Sequence, residues 1–466
     1  MVYLRQESLE GLKLYKYSGV DHSLTSKYIL KPFYNNIVLP CFPISMAPNL
    51  ITLSGFMFVV ANLLTLLWFN PTLDQNCPPW VYYSWAVGLF LYQTFDAVDG
   101  AQARRTHQSS ALGELFDHGV DALNTSLEVL LFAGSQNMGQ GWKTVATLFA
   151  SLTTFYVQTW EEYHTHTLTL GVVSGPVEGV LILVLVYSLT GYFGGASFWQ
   201  QPMLATLGIS SQSIRLVPAA VRDLTFTDWY MVQGTIVMVY NTTESARTVL
   251  RVWRKERKEA KESGKAGQNI NRDNNPLLGL VPFAVTWVLV VAYLVFQPEI
   301  LHAHLVPFVF FVGLVNAYSV GQMITAHVSH LPFPYYNVMV LPLAWGVVDS
   351  IGPLLKRFEP TIATLIFGSN KPPAYFAFGW PSALGDGVYQ VAYMFCMLGA
   401  AVGVYGSFVV DVIVTICDYL DIWCLTIKHP YVEGASVKKQ VAGTANGHAA
   451  PTSLPDGDAK TVQNKN

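Results

Sequence analysis

Ten long apolar stretches limit the folds that this chain can adopt. Each is 16 to 23 residues long, close to the roughly 20 apolar residues that cross a bilayer as a helix. Inside lipid, backbone polar groups must be paired within the protein, which leaves only helices or closed barrels. The sequence therefore predicts an all-α integral membrane protein with about ten transmembrane helices, at residues 51–69, 81–98, 112–133, 145–160, 172–192, 225–240, 276–296, 305–324, 338–355 and 388–410.

The composition agrees with a membrane protein and argues against other classes. Charged residues make up 12% of the chain, against about 25% in a soluble domain, and the mean hydropathy is +0.34. The net charge of −3 indicates no nucleic-acid partner. The five cysteines lack the spacing of a zinc site or of a disulfide framework.

Lysine and arginine are distributed unevenly between the two sides of the predicted membrane. If the N-terminus is cytosolic and the spans alternate, 21 of the 27 basic residues lie on the cytosolic side. This is the bias that the positive-inside rule describes. The distribution therefore predicts that both termini are cytosolic.

The predicted spans and the polar segments between them divide the chain into five regions. The regions are an N-terminal cytosolic or interfacial amphipathic segment (1–47), a transmembrane region with the first six predicted spans (48–245), a basic cytosolic segment (246–275), further transmembrane helices (276–428) and a disordered cytosolic tail (429–466).

The stretch DAVDGAQARRTHQSSALGELFDHGVD places four aspartates between the second and third apolar stretches. Asp96 and Asp99 are three residues apart, and Asp117 and Asp121 are four apart, so each pair lies on one helix face. Because the connection is short, the two helices are neighbours and the four carboxylates can converge. Acidic residues inside a membrane are functional by default, and clustered carboxylate oxygens suit magnesium or manganese better than zinc.

The spacing is more specific than the composition. It reads Asp96-x2-Asp99-Gly100-x2-Ala103-Arg104-x8-Gly113-x3-Asp117-x3-Asp121, and it resembles the signature of the CDP-alcohol phosphotransferase family at all eight fixed positions. The stretches YKYSGVDHS, APNLITLSG, FDHGVDALN and VDVIVTICDYLDIWCLTIK resemble the eukaryotic choline/ethanolamine phosphotransferase branch. The resemblance implies a six-helix catalytic core within ten spans.

The resemblance also implies a reaction. Phosphocholine or phosphoethanolamine would move from CDP-choline or CDP-ethanolamine to diacylglycerol, and CMP would leave. Two Mg²⁺ or Mn²⁺ ions would be held by the four aspartates, Asp96, Asp99, Asp117 and Asp121.

Five further residues are expected to bind the nucleotide ester. Gly100, Ala103 and Gly113 leave room for close approach of the substrate. The guanidinium of Arg104 suits a phosphate oxygen, although a basic residue here also serves as a positive-inside anchor. By resemblance, Asn49 contacts the CDP part.

The sequence leaves three candidates for the general base. His118 directly follows the third aspartate and has a side chain suited to accept a proton from a lipid hydroxyl. It could equally be a partner of Asp117 or Glu114. Asp121 is favoured in many members of the family, and Glu178 is an acid within an apolar span.

The stretch WEEYHTHT contains Glu161, Glu162, His164 and His166 and looks like a metal cluster. Its position next to a predicted span favours a solvated loop at the cytosolic edge.

Several alternatives remain open at the level of sequence. A polytopic cation transporter would explain the spans and the acids but not the fixed glycines and arginine. Another CDP-alcohol phosphotransferase would act on a different acceptor. The family implies a homodimer in the endoplasmic reticulum membrane, with the Golgi as the alternative location. Choline and ethanolamine cannot be distinguished from the sequence.

Overall fold

Ten helices of 13 residues or more account for most of the described chain. The structure is a computed structural model, and it describes residues 3–4, 9–15, 18–21, 23–170, 175–209, 218–263, 274–367, 379–385 and 387–431. The ten helices are α1 (Pro48–Phe69), α2 (Pro79–Arg105), α3 (Ala111–Ser135), α4 (Trp142–Thr165), α5 (Val180–Tyr192), α6 (Phe226–Glu262), α7 (Val281–Phe296), α8 (Leu305–Val328), α9 (Val340–Phe367) and α10 (Val388–Leu420).

Within the described residues each predicted span overlaps one of these helices, and the all-α membrane class is confirmed; residues 172–174 of the fifth span lie outside the described residues. In the part of the chain that the structure describes, four helical stretches are long and apolar enough to cross a membrane: Pro48–Phe69, Pro276–Phe296, Leu305–Val328 and Val388–Leu420. The other helices carry more polar residues or are shorter, so the number of ten spans stays a prediction.

Two helices differ from their predicted spans in extent. Helix α6 continues well past the apolar stretch 225–240 and includes the first part of the basic segment, up to Glu262. Residues 264–273 of that segment lie outside the described residues. Helix α5 begins only at Val180, after a π-helical turn at Gly175–Gly179.

Short elements connect the long helices. Two three-residue strands, β1 (Gly19–Asp21) and β2 (Leu168–Leu170), pair in parallel, with Gly19 opposite Leu168. The short α-helices are Glu10–Leu14, Lys31–Phe33, Met203–Thr206, Ala219–Arg222 and Pro298–Ala303; the 3₁₀ turns are Leu39–Cys41, Ala196–Gln200 and Pro276–Leu280; the π-helical turns are Ser26–Leu30, Tyr34–Val38 and Gly175–Gly179.

Helix α8 is the most buried of the apolar helices and packs on α3, α4 and α10. It approaches α3 closely at Gly313, where an added Cβ would lie 2.4 Å from the Oγ of Ser126. Helices α1, α2 and α5 pack on the other side of the catalytic region, with α1 contacting both α2 and α3. The site described below lies among elements of the first half of the chain, and the segment after α10 completes its lining.

The segment before α1 has an apolar inner side and an apolar outer side. Leu30 and Tyr34 are buried in a small cluster with Val98 and Val177. Other large side chains of the same segment are exposed: Tyr28, Ile29, Ile37 and Ile44. Exposed apolar side chains next to lysines are the arrangement that an interfacial segment requires. This arrangement supports the prediction that residues 1–47 form an amphipathic segment at the membrane surface.

Candidate active site

A short turn brings the two halves of the aspartate motif together. Helix α2 ends at Arg105, and α3 begins at Ala111, where the side chain of Ser110 accepts a hydrogen bond from the amide of Gly113 at 3.4 Å. Serine is a favoured N-cap residue because its oxygen pairs an otherwise free amide of the first turn. The cap starts α3 so that its first turns lie beside the last turns of α2.

Carboxylate oxygens of Asp96, Asp99 and Asp117 lie within 4.8 Å of one another. We call these three residues the aspartate cluster. One oxygen each of Asp96 and Asp117 is buried without a hydrogen-bond partner. Burial of unpaired carboxylate oxygens is costly unless a cation balances them, and an all-oxygen donor set is the one that hard divalent cations prefer.

Two neighbouring hydroxyl groups orient the carboxylates, and the sequence interpretation missed both. Thr52 of α1 donates a hydrogen bond to Asp99, and Tyr92 of α2 donates one to Asp121. Asp121 is thus held beside the aspartate cluster by Tyr92. Tyr92 lies four residues before Asp96 on the same face of α2, which is the only sequence signal that could have identified it.

The aspartates line a cavity of about 930 Å³. All five predicted substrate-binding residues line it as well: Asn49, Gly100, Ala103, Arg104 and Gly113. A Cβ added at Gly100 would meet only the Nη1 of Arg104, at 3.5 Å, and one at Gly113 would be 4.0 Å from the Oδ1 of Asn49. The space in front of both glycines therefore belongs to the cavity.

The N-terminal segment forms one part of the cavity rim. Burial alone would raise the pKa of Asp21, but hydrogen bonds from Ser26 (2.5 Å) and from the Ser23 amide (2.9 Å) and an ion pair with Lys31 (3.1 Å) outweigh it and lower the pKa. Asp21 is therefore ionised at neutral pH, and the ion pair fixes the segment at the rim.

The segment after α10 forms another part of the rim. Trp423, Cys424 and Ile427 line the cavity, and Thr426 pairs with Met46 in an isolated β-bridge. The side chain of Gln108, in the turn between α2 and α3, donates to the carbonyl of His429 at 3.2 Å. The mouth of the cavity is thus lined by residues more than 300 positions apart in the sequence.

His118 lies at the wall of the same cavity, and its ring nitrogens lie near Glu114 and Glu162. Its Nδ1 is 3.1 Å from the backbone oxygen of Glu114, and its Nε2 is 3.6 Å from Oε2 of Glu162. Because a carbonyl oxygen only accepts hydrogen bonds, Nδ1 carries the proton in this arrangement. Nε2 is then the nitrogen that is free to take a proton.

Glu178 lies in the π-helical turn before α5 and accepts a hydrogen bond from the Oγ of Ser23. It is not among the described residues that line the cavity, although its neighbours Pro176 and Val177 are. The structure thus brings the motif residues and His118 to one cavity and leaves Glu178 beside it.

The expectation that WEEYHTHT is a solvated loop is wrong. Residues up to Thr165 belong to helix α4, and Glu162 is buried, with 5% of its surface exposed. Its carboxylate lies beside Glu114 of α3 and His327 of α8, and ligand atoms of these three side chains lie within 4.8 Å of one another. We call these three residues the Glu–His cluster. The apolar stretch simply continues as helix beyond the predicted span.

Comparison with known proteins agrees with this geometry. A sequence model of the family described as CDP-alcohol phosphatidyltransferase matches residues 45–209. The chain is similar to choline/ethanolaminephosphotransferase 1 of Saccharomyces cerevisiae, with 36% identity over 429 residues, or 91% of this chain and 98% of that protein. It is also similar to cholinephosphotransferase 1 of the same yeast, with 35% identity over 442 residues, or 92% and 98% of the two chains.

A shorter but closer match is to choline/ethanolaminephosphotransferase 2 of Arabidopsis thaliana, with 47% identity over 202 residues, or 43% of this chain and 51% of that protein. The chain belongs to the CDP-alcohol phosphatidyltransferase family, and within it the chain resembles the choline/ethanolamine branch. The predicted family and branch are confirmed, and the cation transporter is not favoured.

Proposed function

We propose that the protein transfers phosphocholine, phosphoethanolamine or both from the corresponding CDP ester to diacylglycerol, with release of CMP. The observation that most strongly supports this proposal is the aspartate cluster, which lines a cavity of about 930 Å³. The other five positions of the motif line the same cavity: Gly100, Ala103, Arg104, Gly113 and Asp121. Yeast proteins named for choline and ethanolamine phosphotransfer match nearly the whole chain, which supports these substrates over another alcohol.

The residues of the site fit divalent metal ions. The donors are carboxylates only, and Asp96 and Asp117 each keep a buried oxygen that no protein group satisfies. We propose that Asp96, Asp99, Asp117 and Asp121 hold two Mg²⁺ or Mn²⁺ ions. When bound, such ions neutralise the charge of the diphosphate and of the departing CMP.

The chain's own groups position the substrate. Arg104 lies at the cavity wall, where its guanidinium can donate two hydrogen bonds to a phosphate oxygen. Asn49 is 8% exposed, and its amide can contact the nucleotide from the same wall. Phosphoryl transfer depends mostly on positioning and on charge neutralisation, so these contacts are expected to act on binding as well as on turnover.

We propose His118 as the base that takes the proton of the diacylglycerol hydroxyl. Its Nδ1 is held by the backbone of Glu114, which leaves Nε2 as the basic nitrogen. Glu162 is 3.6 Å away and favours the imidazolium that forms when the proton is taken. Glu178 and Asp121 stay alternatives: Glu178 lies beside the cavity, and Asp121 already accepts a hydrogen bond from Tyr92.

The test of the function is an assay with purified protein. Diacylglycerol and labelled CDP-choline or CDP-ethanolamine should give the corresponding phospholipid and CMP with magnesium and none with excess chelator. An Asp99→Asn variant serves as the inactive control. Formation of product in excess chelator would contradict the proposed metal dependence. If neither CDP ester gave product, the proposed function would be wrong.

We also propose that the protein is a homodimer of the endoplasmic reticulum membrane, or alternatively of the Golgi, with both termini cytosolic. The location and the dimer rest on the family resemblance, and the sidedness rests on the 21 of 27 basic residues. Protease added to sealed microsomes should cleave the basic segment (246–275). Protection of that segment until detergent is added would contradict the sidedness, and a monomer by native mass spectrometry would contradict the dimer.

A further inference from the structure

Tyr34, in the segment before α1, has a buried hydroxyl group that the fold leaves unpaired. It begins the π-helical turn Tyr34–Val38, and 5% of its surface is exposed. Its Oη has no hydrogen-bond partner within the described part of the chain. Burial of an unpaired hydroxyl is costly and uncommon in folded proteins, so this one calls for a partner that the chain alone does not supply.

The ring of Tyr34 is held in place by apolar neighbours. It belongs to the small cluster with Leu30, Val98 and Val177, and its centroid lies 5.6 Å from that of the Phe33 ring. Val98 is on α2, so the cluster attaches the segment to the helix that carries the first half of the aspartate motif. Because these neighbours have no polar side-chain atoms, they fix the ring without pairing the hydroxyl.

Tyr34 lies near one carboxylate of the aspartate cluster. It lines the cavity of about 930 Å³ together with Asp96. Burial and the charge of Asp96 raise the pKa of Tyr34 to about 12, so the phenol keeps its proton at neutral pH. Oδ1 of Asp96 is also buried and unpaired among the described residues. A donor and an anionic acceptor therefore lie near each other without a hydrogen bond between them.

A diphosphate is the ligand that suits both unpaired groups. Asp96 is a proposed metal ligand, so the diphosphate of the CDP ester is expected beside it. Diphosphate oxygens are negatively charged acceptors, and a protonated phenol can donate to one of them. Among the eight positions of the motif, only Arg104 has a side chain that donates hydrogen bonds, so a further donor has to come from outside the motif.

We propose that the hydroxyl of Tyr34 donates a hydrogen bond to a diphosphate oxygen of the CDP ester. This inference rests on the proposed function, because its ligand is the nucleotide ester of that reaction. It gives the segment before α1 a direct part in substrate binding, in addition to its place at the cavity rim. Tyr34 is a binding residue in this arrangement and takes no part in proton transfer.

The test compares Tyr34→Phe with Tyr28→Phe. Tyr34→Phe removes one oxygen and keeps the ring in its apolar cluster. Tyr28 is in the same segment but is 66% exposed, and it is not among the described residues that line the cavity. Calorimetry of the purified full-length protein with magnesium and a CDP ester should show about 10-fold weaker affinity for Tyr34→Phe, because a hydrogen bond to a charged group is lost. Tyr28→Phe should bind as the native protein does.

Thermal unfolding of the ligand-free protein separates a role in binding from a role in folding. Since the hydroxyl has no partner in the fold, its removal should leave the midpoint of Tyr34→Phe unchanged or raise it. A lower midpoint would show that the fold itself pairs the hydroxyl, and the proposal would be wrong. Native affinity of Tyr34→Phe for the CDP ester would overturn it as well.

Two further measurements identify the group that the hydroxyl contacts. Affinity of Tyr34→Phe for CDP-choline and for CDP-ethanolamine should fall by the same factor, because the two esters share the diphosphate. A loss confined to one ester would place the hydroxyl at the head group and contradict the assignment. Mn²⁺ alone, followed by electron paramagnetic resonance, should bind Tyr34→Phe as tightly as the native protein. Weaker Mn²⁺ binding would place the hydroxyl at the metal and not at the diphosphate.

The native protein keeps this inference distinct from the proposed function. If the native protein binds a CDP ester and forms phospholipid, then an unaltered Tyr34→Phe variant contradicts only the role of Tyr34. If the native protein binds neither CDP ester, the proposed function is wrong and the inference about Tyr34 fails with it.

Discussion

The aspartate cluster and the Glu–His cluster both use carboxylates of helix α3, Asp117 and Glu114, yet the chain builds them differently. The first joins residues from two consecutive helices and is held by a turn of five residues. The second joins residues 114, 162 and 327 from three helices. The first has only carboxylates, and the second combines two carboxylates with an imidazole. The difference shows that one helix contributes a carboxylate to a cluster fixed by local sequence and another to a cluster that depends on the packing of distant helices.

The largest expected effect comes from removing a ligand of the aspartate cluster. Asp99→Asn or Asp117→Asn replaces a charged donor by a neutral one. Because metal ions contribute several kcal/mol to such transition states, turnover should fall about 10³-fold or more. The measurement is phospholipid formation at saturating magnesium. Near-normal turnover in both variants would remove the aspartate cluster from the mechanism.

The next effect concerns His118, which lines the same cavity as the aspartate cluster. His118→Ala should lower turnover about 10²-fold and leave affinity for the CDP ester nearly unchanged, because a base acts on the chemical step. Calorimetry with the CDP ester and a turnover assay separate the two quantities. Glu178→Gln is the matched comparison.

If His118→Ala turns over normally while Glu178→Gln binds the ester but is inactive, then Glu178 is the base. If both variants are active, Asp121 becomes the remaining candidate.

A smaller effect is expected at the hydroxyl that orients Asp99. Thr52→Val keeps the shape of the side chain and removes the hydrogen bond to the carboxylate. Loss of an outer partner of a metal ligand typically costs 10- to 100-fold in metal affinity or activity, so about a 10-fold higher magnesium requirement is expected. Thr65→Val in the same helix, whose hydroxyl accepts from Trp85, is the control. An unchanged magnesium requirement in Thr52→Val would show that Asp99 needs no such support.

The sequence was sufficient to predict the aspartate cluster because helical periodicity and a short turn determine the positions of its side chains. Four aspartates at spacings of three and four must share faces, and this local rule does not depend on the rest of the fold. The apolar stretches likewise located the ten long helices. The same rules failed at Glu162, because a polar residue after an apolar stretch is predicted to be solvated unless its distant neighbours are known.

The sequence could not predict the second cluster for a related reason. His327 reaches Glu114 only because α8 packs on α3, and that packing depends on side chains such as Gly313 and Ser126. Pairings between helices 200 residues apart leave no spacing pattern in one sequence. Thr52 and Tyr92 were missed because hydroxyl residues are common in such helices.

The smallest effect tests whether the close packing of α8 on α3 stabilises the protein. Gly313→Ala places a Cβ 2.4 Å from Ser126 Oγ and should destabilise the protein by about 1–3 kcal/mol through overpacking. Gly399→Ala in α10, where an added Cβ meets nothing within 4 Å, is the matched control and should not destabilise. Thermal unfolding in detergent measures both. If Gly313→Ala and the native protein unfolded at the same temperature, α8 could shift away from α3 without loss of stability.

The rim segment after α10 has a consequence for the order in which the protein is made. A ribosome has completed the aspartate motif by residue 121, but Trp423 and Cys424 are translated 300 residues later. The cavity acquires this wall only after α10 is in place and Thr426 has paired with Met46. A nascent chain therefore holds every motif residue without an enclosed site. We therefore expect the protein to become active only after its last helix has been synthesised and packed.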